Sequence, residues 1–243
     1  MIIFECTPFK NVITKSIEIF ENWTNHKCKL ENCLYKIKNI SPLNLAELKI
    51  LNPLKEELNT SPLQPEIDFE KTKIDECKCG KGIIYSAKDL ANILKNKIIN
   101  QIKFSEMPIF ITNDFIAEFD KNDRRWHLRY AFFYFPTIIS IQGIINAPAK
   151  PREYYIYIAK GIPTELIPEN LKSKFLTETD KRLPRVLAGI MLQAYAFYIL
   201  KYPFCDNKNC SLFNAHWQED LLNSQKDEPY ILCDKHNFLL KKN

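Results

Sequence analysis

Apolar and polar positions along this chain fall into blocks whose period switches between that of a strand and that of a helix. Residues 1–6 form a short apolar run, the mark of a buried strand, and residues 15–23 carry their apolar side chains at helical spacing. Gly82-Ile83-Ile84-Tyr85 predicts a strand ending at Ser86, a residue suited to cap a helix. In the helix that follows, 87–103, Leu90, Ile93, Leu94, Ile98, Ile99 and Ile102 recur three and four apart. The β-branched and aromatic runs 108–112, 130–135, 137–146 and 154–158 predict further strands. Residues 186–200 are apolar nearly all round, so that helix must be covered on most sides; Pro184 opens it and Tyr202-Pro203 stops it. Residues 52–76 are polar and hold Pro53, Pro62 and Pro65, which reads as a long excursion or linker. Strands alternating with helices predict an α/β (α+β) class, a mixed sheet packed on the central helix 186–200. Three segments are expected: an N-terminal α/β segment with its Pro-rich excursion (1–76), the sheet and central helix (77–200) and a C-terminal subdomain (201–243).

With 46% hydrophobic and 26% charged residues in 243, the chain has the makings of a real core, and whole-chain disorder is excluded. Five glycines and no G-x-G-x-x-G or G-x-x-x-x-G-K pattern exclude nucleotide binding through those loops. The net charge of +5 is scattered, with no run of five like charges, and implies a solvated, mildly basic surface. The N-terminus has Glu5 where a signal peptide needs basic residues, and 186–200 contains Gln193 and falls short of a span of about 20 residues. The expectation is a cytoplasmic protein with no membrane partner.

Eight cysteines are many for such a chain, since thiols in a reducing compartment bind metal or react more often than they pair. Cys205-x4-Cys210, a 22-residue spacer and Cys233-x2-His236 form two short hooks, each offering two ligands from one turn, as tetrahedral zinc requires. Asp206, Asn207 and Lys208 favour a tight turn in the first hook. Three thiolates and one imidazole leave no open position, so one structural zinc ion is expected, against the alternative of reduced cysteines buried as small hydrophobes. Cys28-x4-Cys33 and Cys77-x-Cys79 spell a second four-thiolate candidate, eased by Gly80 and Gly82, against free or disulfide-paired cysteines. Cys6 is left over in any scheme.

On these residues the sequence resembles the archaemetzincins, zinc peptidases of the metzincin group. In that family the last His of an extended His-Glu-x-x-His helix directly precedes Cys-x4-Cys, a Met lies two residues on, and Cys-x2-Cys closes a second, structural zinc site. Cys205 and Cys210 match the first pair, Leu212 stands at the methionine, Cys233 matches the third cysteine and His236 replaces the fourth. The stretches DRRWHLRY, IISIQGIINAPAKPREYY and FCDNKNCSLFNAHWQEDLL resemble an archaeal metallopeptidase-like family more closely, from Gly82 to the C-terminus. The resemblance implies a metzincin-like fold with a zinc-bound helical C-terminal subdomain. It does not carry the chemistry. Aligned on Cys205, the family's catalytic ligand positions fall on Ala194, Tyr198 and Phe204 and its general base on Tyr195. Those side chains do not replace zinc-bound histidines or a water-activating glutamate. The four histidines, His26, His127, His216 and His236, include no pair four apart.

Other polar clusters offer further chemistry. On a strand, Arg125, His127 and Arg129 share one face and could hold a phosphate or carboxylate, or simply form a solvated face. Residues 148–153, with Pro148 and Pro151, are expected to run extended and present Lys150 and Arg152 at fixed spacing. Asp180-Lys181-Arg182 precedes the central helix, with Asp180 as a helix-start acid. Residues 214–219 read as helical, which would make His216 and Glu219 neighbours able to bind metal or transfer protons.

Three functional readings follow. The first is a zinc-stabilised protein without peptidase activity that binds a peptide or protein partner in the degenerate cleft, by strand addition to a sheet edge. The second is an enzyme of different chemistry in which His127, His216 and Glu219 act as catalytic groups and Arg125, Lys150, Arg152 and Arg182 bind an anionic substrate. The third is nucleic-acid binding, from the mild basicity and 12% aromatic content. In the first, Tyr195, Tyr198 and Phe204 are expected to fill the cleft floor, with His216, Gln218, Glu219, Arg125 or His127 as partners for the hydroxyls.

Overall fold

The computed structural model describes residues 1–31, 40–76, 82–103, 105–225 and 231–241. The chain divides into two compact units, each built from separate stretches: Met1–Lys10 with Lys27–Gly143, and Asn11–His26 with Ile144–Asn243. Strand β1 (Ile2–Cys6) opens the first, and helix α1 (Lys10–Thr24) lies in the second from Asn11 on.

The first unit holds two mixed sheets. In the larger, β1 pairs in parallel with β2 (Lys29–Glu31) on one side and β4 (Pro108–Thr112) on the other. Beyond β4 comes β8 (Thr137–Ser140), also parallel, and then the short antiparallel β7 (Ala131–Phe132). Strands β1, β4 and β8 are buried along their whole length, which is why they read as unbroken apolar runs rather than alternating ones. The smaller sheet has the order β3 (Ile84–Ser86), β5 (Phe115–Asp120), β6 (Arg125–Arg129). Helix α2 (Pro42–Glu47) and the amphipathic α4 (Ala87–Ile98), capped by Ser86 through the Asp89 N–H, add Leu45, Leu90, Leu94 and Ile98 to a core with Phe4, Phe110 and Ile138.

Between α2 and α4 the excursion departs from expectation. Its second half is helix α3 (Gln64–Glu76), whose buried residues are Glu70, Lys73 and Ile74. Lys73 Nζ donates to Tyr85 Oη (2.8 Å) and Asp114 Oδ2 (3.1 Å) and lies 3.0 Å from Glu70 Oε2. Lys49 Nζ sits 3.0 Å from Glu70 Oε1, which also accepts from the Tyr85 hydroxyl (2.6 Å). Two ammonium groups face two carboxylates, so the buried charges balance, which burial demands. Burial pushes the Asp114 carboxyl above its ordinary range, against the pull of Lys73.

Three other runs expected as strands depart from expectation, and of 130–135 only β7 is extended. Of 137–146 only β8 is extended; Ile141–Asn146 is helix α5, opened by the Gly143 N–H donating to Ser140 Oγ (2.8 Å). Gly143 is required there, because a Cβ would collide with the Arg129 carbonyl. Residues 154–158 belong to helix α6 (Arg152–Ala159), not a strand, and Arg152 is therefore helical rather than part of an extended link. Pro151 is preset for a helix start, and Tyr154 and Tyr157, three apart, both reach a small core of Ile167, Leu171 and Phe175. Packing has overridden the β preference of Tyr and Ile.

The second unit also contains the short α7 (Glu169–Lys172), the long α8 (Leu183–Leu200), α9 (Gln218–Ser224) and α10 (Asp234–Lys241). Helix α8 is long and apolar enough by composition to cross a membrane, and 67% of it is buried inside the protein, as in a core helix. Three buried glutamines fix its surroundings. Gln193 Nε2 donates to the Phe213 carbonyl (3.2 Å), and Gln225 Nε2 to Ser211 (2.7 Å). Gln218 accepts from the Leu176 N–H (3.1 Å) and donates to the Ile144 carbonyl (2.7 Å). Gly189 gives Gln225 its room, since a Cβ would occupy the amide's place.

Candidate metal centre

The first hook leaves α8 at Lys201, whose left-handed backbone (φ 61°) ends the helix, and turns between Cys205 and Cys210. The Cys210 N–H donates to the Asn207 carbonyl (3.0 Å), the Asn209 N–H to Asn207 Oδ1 (3.0 Å), and the Asn207 N–H to Cys205 Sγ (3.3 Å). Asn207 thus closes the turn and aims both thiols one way. Leu212, at the methionine position of the resemblance, is fully buried and accepts the Cys205 N–H (2.7 Å). The second hook is tied in where the Ser211 N–H donates to the Ile231 carbonyl (2.7 Å). Cys233 stands immediately before α10, and His236 lies in its first turn.

The ligand atoms of Cys205, Cys210, Cys233 and His236 all lie within 4.8 Å of one another. Cys205 Sγ and Cys233 Sγ are 3.8 Å apart, and His236 Nδ1 is 3.8 Å from Cys210 Sγ and 3.1 Å from Cys233 Sγ. Tetrahedral zinc at ~2.3 Å from sulfur and ~2.0 Å from nitrogen sets S···S near ~3.8 Å and S···N near ~3.5 Å. The residues fit that ion. Without it the thiols differ: burial pushes Cys210 up to about 12. Burial acts the same way on Cys233, but the backbone N–H of His236 and bonding to Cys205 and Cys210 outweigh it and lower its pKa. Burial, with a smaller effect from the nearby Lys235 charge, lowers the His236 imidazole and favours the neutral ligand form.

At the positions where the resemblance places peptidase groups, Ala194 is fully buried and Tyr198 and Phe204 are half-buried. Tyr195, 4% exposed, puts its hydroxyl 2.5 Å from His26 Nε2, the two rings 4.8 Å apart, and meets Phe20 edge-on. His26, a histidine to which the sequence assigns no role, thus meets the Tyr195 hydroxyl. Its signal was Asn25, a residue that tolerates the left-handed backbone (φ 58°) in which it ends α1 and turns His26.

His216 is exposed and precedes α9, which starts at Gln218, so His216 and Glu219 do not share a helix as expected. Glu219 lies 3.5 Å from Lys174. Lys150 is buried over the rings of Tyr154 (4.8 Å) and Phe175 (5.7 Å) and donates to Asn146 Oδ1 (3.3 Å). Arg152 is exposed at the start of α6. Arg182 clamps a loop, donating to both Asp180 oxygens and to the carbonyls of Ser173 (2.5 Å) and Phe175 (2.9 Å). These five residues belong to the second unit.

Arg125, His127 and Arg129 lie on β6 in the first, each against an acid: Arg125 and His127 both 2.7 Å from Asp123 Oδ2, and Arg129 2.9 Å from Glu118. Asp120, Asp123 and His127 also come within 4.8 Å of one another, but the Arg125 guanidinium already occupies Asp123. Of the second cysteine set, Cys33, Cys77 and Cys79 lie outside the described residues.

A family model described as "Probable metallopeptidase family (DUF6775)" matches residues 10–243. Two solved structures are similar over nearly their full lengths. An archaemetzincin from Methanopyrus kandleri shares 8% identity at a TM-score of 0.47, the match covering 100% of this chain and 94% of that one. A zinc-dependent peptidase from Methanocorpusculum labreanum shares 10% at 0.48, covering 99% and 100%. No curated protein matches the sequence.

Proposed function

The chain belongs to the probable metallopeptidase family DUF6775, and from that premise we propose that it is a member which keeps a structural metal, lacks the peptidase centre, and holds a peptide or protein instead of cutting it. The observation that carries this reading is a closed set of four ligands beside a helix that offers none. Cys205, Cys210, Cys233 and His236 would hold the ion, with zinc the best match to three sulfurs and a nitrogen at these separations. Bound there, zinc would supply a cross-link between the two hooks. These four residues would fill its coordination and leave no place for an activated water. On α8, Ala194, Tyr195 and Tyr198 stand where the resemblance places two histidines and the glutamate, and no two histidines in the sequence are four apart. Phe204 takes the third histidine's place.

The alternative, an enzyme acting on an anionic substrate, has less support. Arg125, Arg129 and Arg182 are engaged by carboxylates, and the ammonium of Lys150 sits over aromatic rings.

Three measurements test the proposal on the purified protein: metal content, cleavage of casein with and without chelator, and binding of fluorescent casein peptides. The expected result is one zinc per chain, no chelator-sensitive cleavage, and saturable binding of fluorescent casein peptides by anisotropy. Cleavage that follows the pure protein and stops on chelation overturns the loss of the peptidase centre; absence of peptide binding overturns the holding role.

A further inference from the structure

The two hooks meet at Ser211, which follows the ligand candidate Cys210. Ser211 is buried; its N–H donates to the Ile231 carbonyl (2.7 Å), and its hydroxyl accepts the Ile231 N–H (3.2 Å). Ile231 lies two residues before Cys233, so this pair of bonds fixes the second hook against the first. The same strip holds the first hook. The Cys205 N–H donates to the Leu212 carbonyl (2.7 Å) and the Asn214 N–H to the Cys205 carbonyl (3.1 Å). Residues 210–214 therefore set the separation of the two ligand pairs before any ion arrives.

Ser211 is held in turn by Gln225, the residue after α9. Its Nε2 donates to the Ser211 carbonyl (2.7 Å), and both residues are buried. The amide rests on α8 at Gly189, in space that a Cβ would take. Its oxygen, Oε1, has no hydrogen-bond partner among the described residues. A buried, unpaired oxygen is costly, and a methionine would fill much the same volume without one. Burial alone therefore does not account for a glutamine here, whereas the bond to Ser211 does, since no apolar side chain holds a carbonyl. Gly189 points the same way. It lies in the interior of a helix, where glycine is less favourable than alanine, and what it provides is room for this amide.

We propose that Gln225 is a positioning residue of the metal centre, seated on Gly189 of α8 and acting on the ligands through Ser211. It supplies no ligand itself. A metal site tolerates errors of only about 0.2 Å in its ligand distances. An anchor that fixes both hooks beforehand keeps binding from losing free energy to ordering them. The anchor also couples the centre to the core helix. Metal binding and the Gln225–Ser211 bond favour each other, and such a coupling is reciprocal. The proposal deepens the structural-metal reading and rests on it.

The test measures the zinc affinity of the full chain by competition with a chelator. Gln225→Met keeps the volume and removes the donor, and should weaken zinc about tenfold, the low end for losing a partner outside the ligand set. Gly189→Ala should do the same by displacing the amide. The double variant Gly189→Ala with Gln225→Ala should then bind no worse than Gln225→Ala alone. Ile98→Val, in the core of the first unit, should leave the affinity unchanged. Cadmium reads the geometry: one sharp ¹¹³Cd resonance is expected in the wild type, shifted or broadened in Gln225→Met. A merely structural role would lower stability and leave that resonance alone. In the wild type itself, zinc should slow hydrogen exchange of the Gln225 side-chain amide about tenfold, a measurement that needs no variant to fold. Three results overturn the proposal and leave the structural metal standing: wild-type zinc affinity in Gln225→Met, an equal loss in Ile98→Val, or a Gln225 amide that exchanges alike with and without zinc. A wild-type chain that binds no zinc overturns both.

Discussion

The cysteine–histidine cluster and the ion cluster under α3 are both tight groups of polar side chains, but the chain assembles them differently. The four metal-ligand candidates come from two local hooks, Cys205 with Cys210 and Cys233 with His236, where a turn or a helix start sets the geometry within a few residues. The ion cluster draws Lys49, Glu70, Lys73, Tyr85 and Asp114 from four separate elements or loops and makes sense only once they are packed. In the first group the charges are thiolates that a cation would neutralise; in the second the protein supplies both signs itself. A local device can be read from spacing. A balanced ion cluster cannot, because each member alone looks like surface.

The largest effect should come from opening the metal cluster. Cys233→Ser removes one of four ligands, and apparent metal-binding free energies in small zinc domains run about 10–16 kcal/mol, all of it coupled to folding. The variant is expected to lose its zinc and the hydrogen-exchange protection of residues 205–225. Unchanged metal content with intact protection would make the cluster simple thiol packing and remove one side of the comparison.

Next is the ion cluster. Asp114→Asn leaves the buried Lys73 with Glu70 as its remaining carboxylate, and breaking a buried pair costs about 3–5 kcal/mol. Urea unfolding should show that loss. The double change Lys73→Met with Asp114→Leu, which removes the pair together, should recover most of it. A neutral Asp114→Asn would mean that the charges do not depend on one another.

The smallest effect separates a buried charge with an ion partner from one that has none among the described residues. Burial holds the Lys150 ammonium below its ordinary 10.5. Between that lowered value and 10.5 the unfolded chain binds more protons than the native one, so stability should rise with pH across the window and be independent of Lys150 below it. Comparing urea midpoints of wild type and Lys150→Met from pH 7 to 10.5 isolates the slope. Equal slopes in the two proteins would show that the ammonium has enough contact with water to titrate normally.

What the sequence determined by itself is local. The apolar runs of β1 and β4, the Ser86 cap, the all-round apolar α8 and the two hooks each depend on neighbours within a turn or two, so composition and spacing suffice. The family resemblance rests on the same local motifs, and the match over residues 10–243 agrees with it. Tertiary structure decided the rest. It made 152–159 a helix, because Tyr154 and Tyr157 could both bury edges against Phe175 and its neighbours, which outweighs a β preference worth at most about 1 kcal/mol. It turned half of a polar excursion into α3, because opposite charges 41 residues apart, Lys73 and Asp114, could be desolvated together. It gave Tyr195 to His26, 169 residues away in the chain, since the partner of a buried hydroxyl is whatever polar group the packed chain brings within about 3 Å.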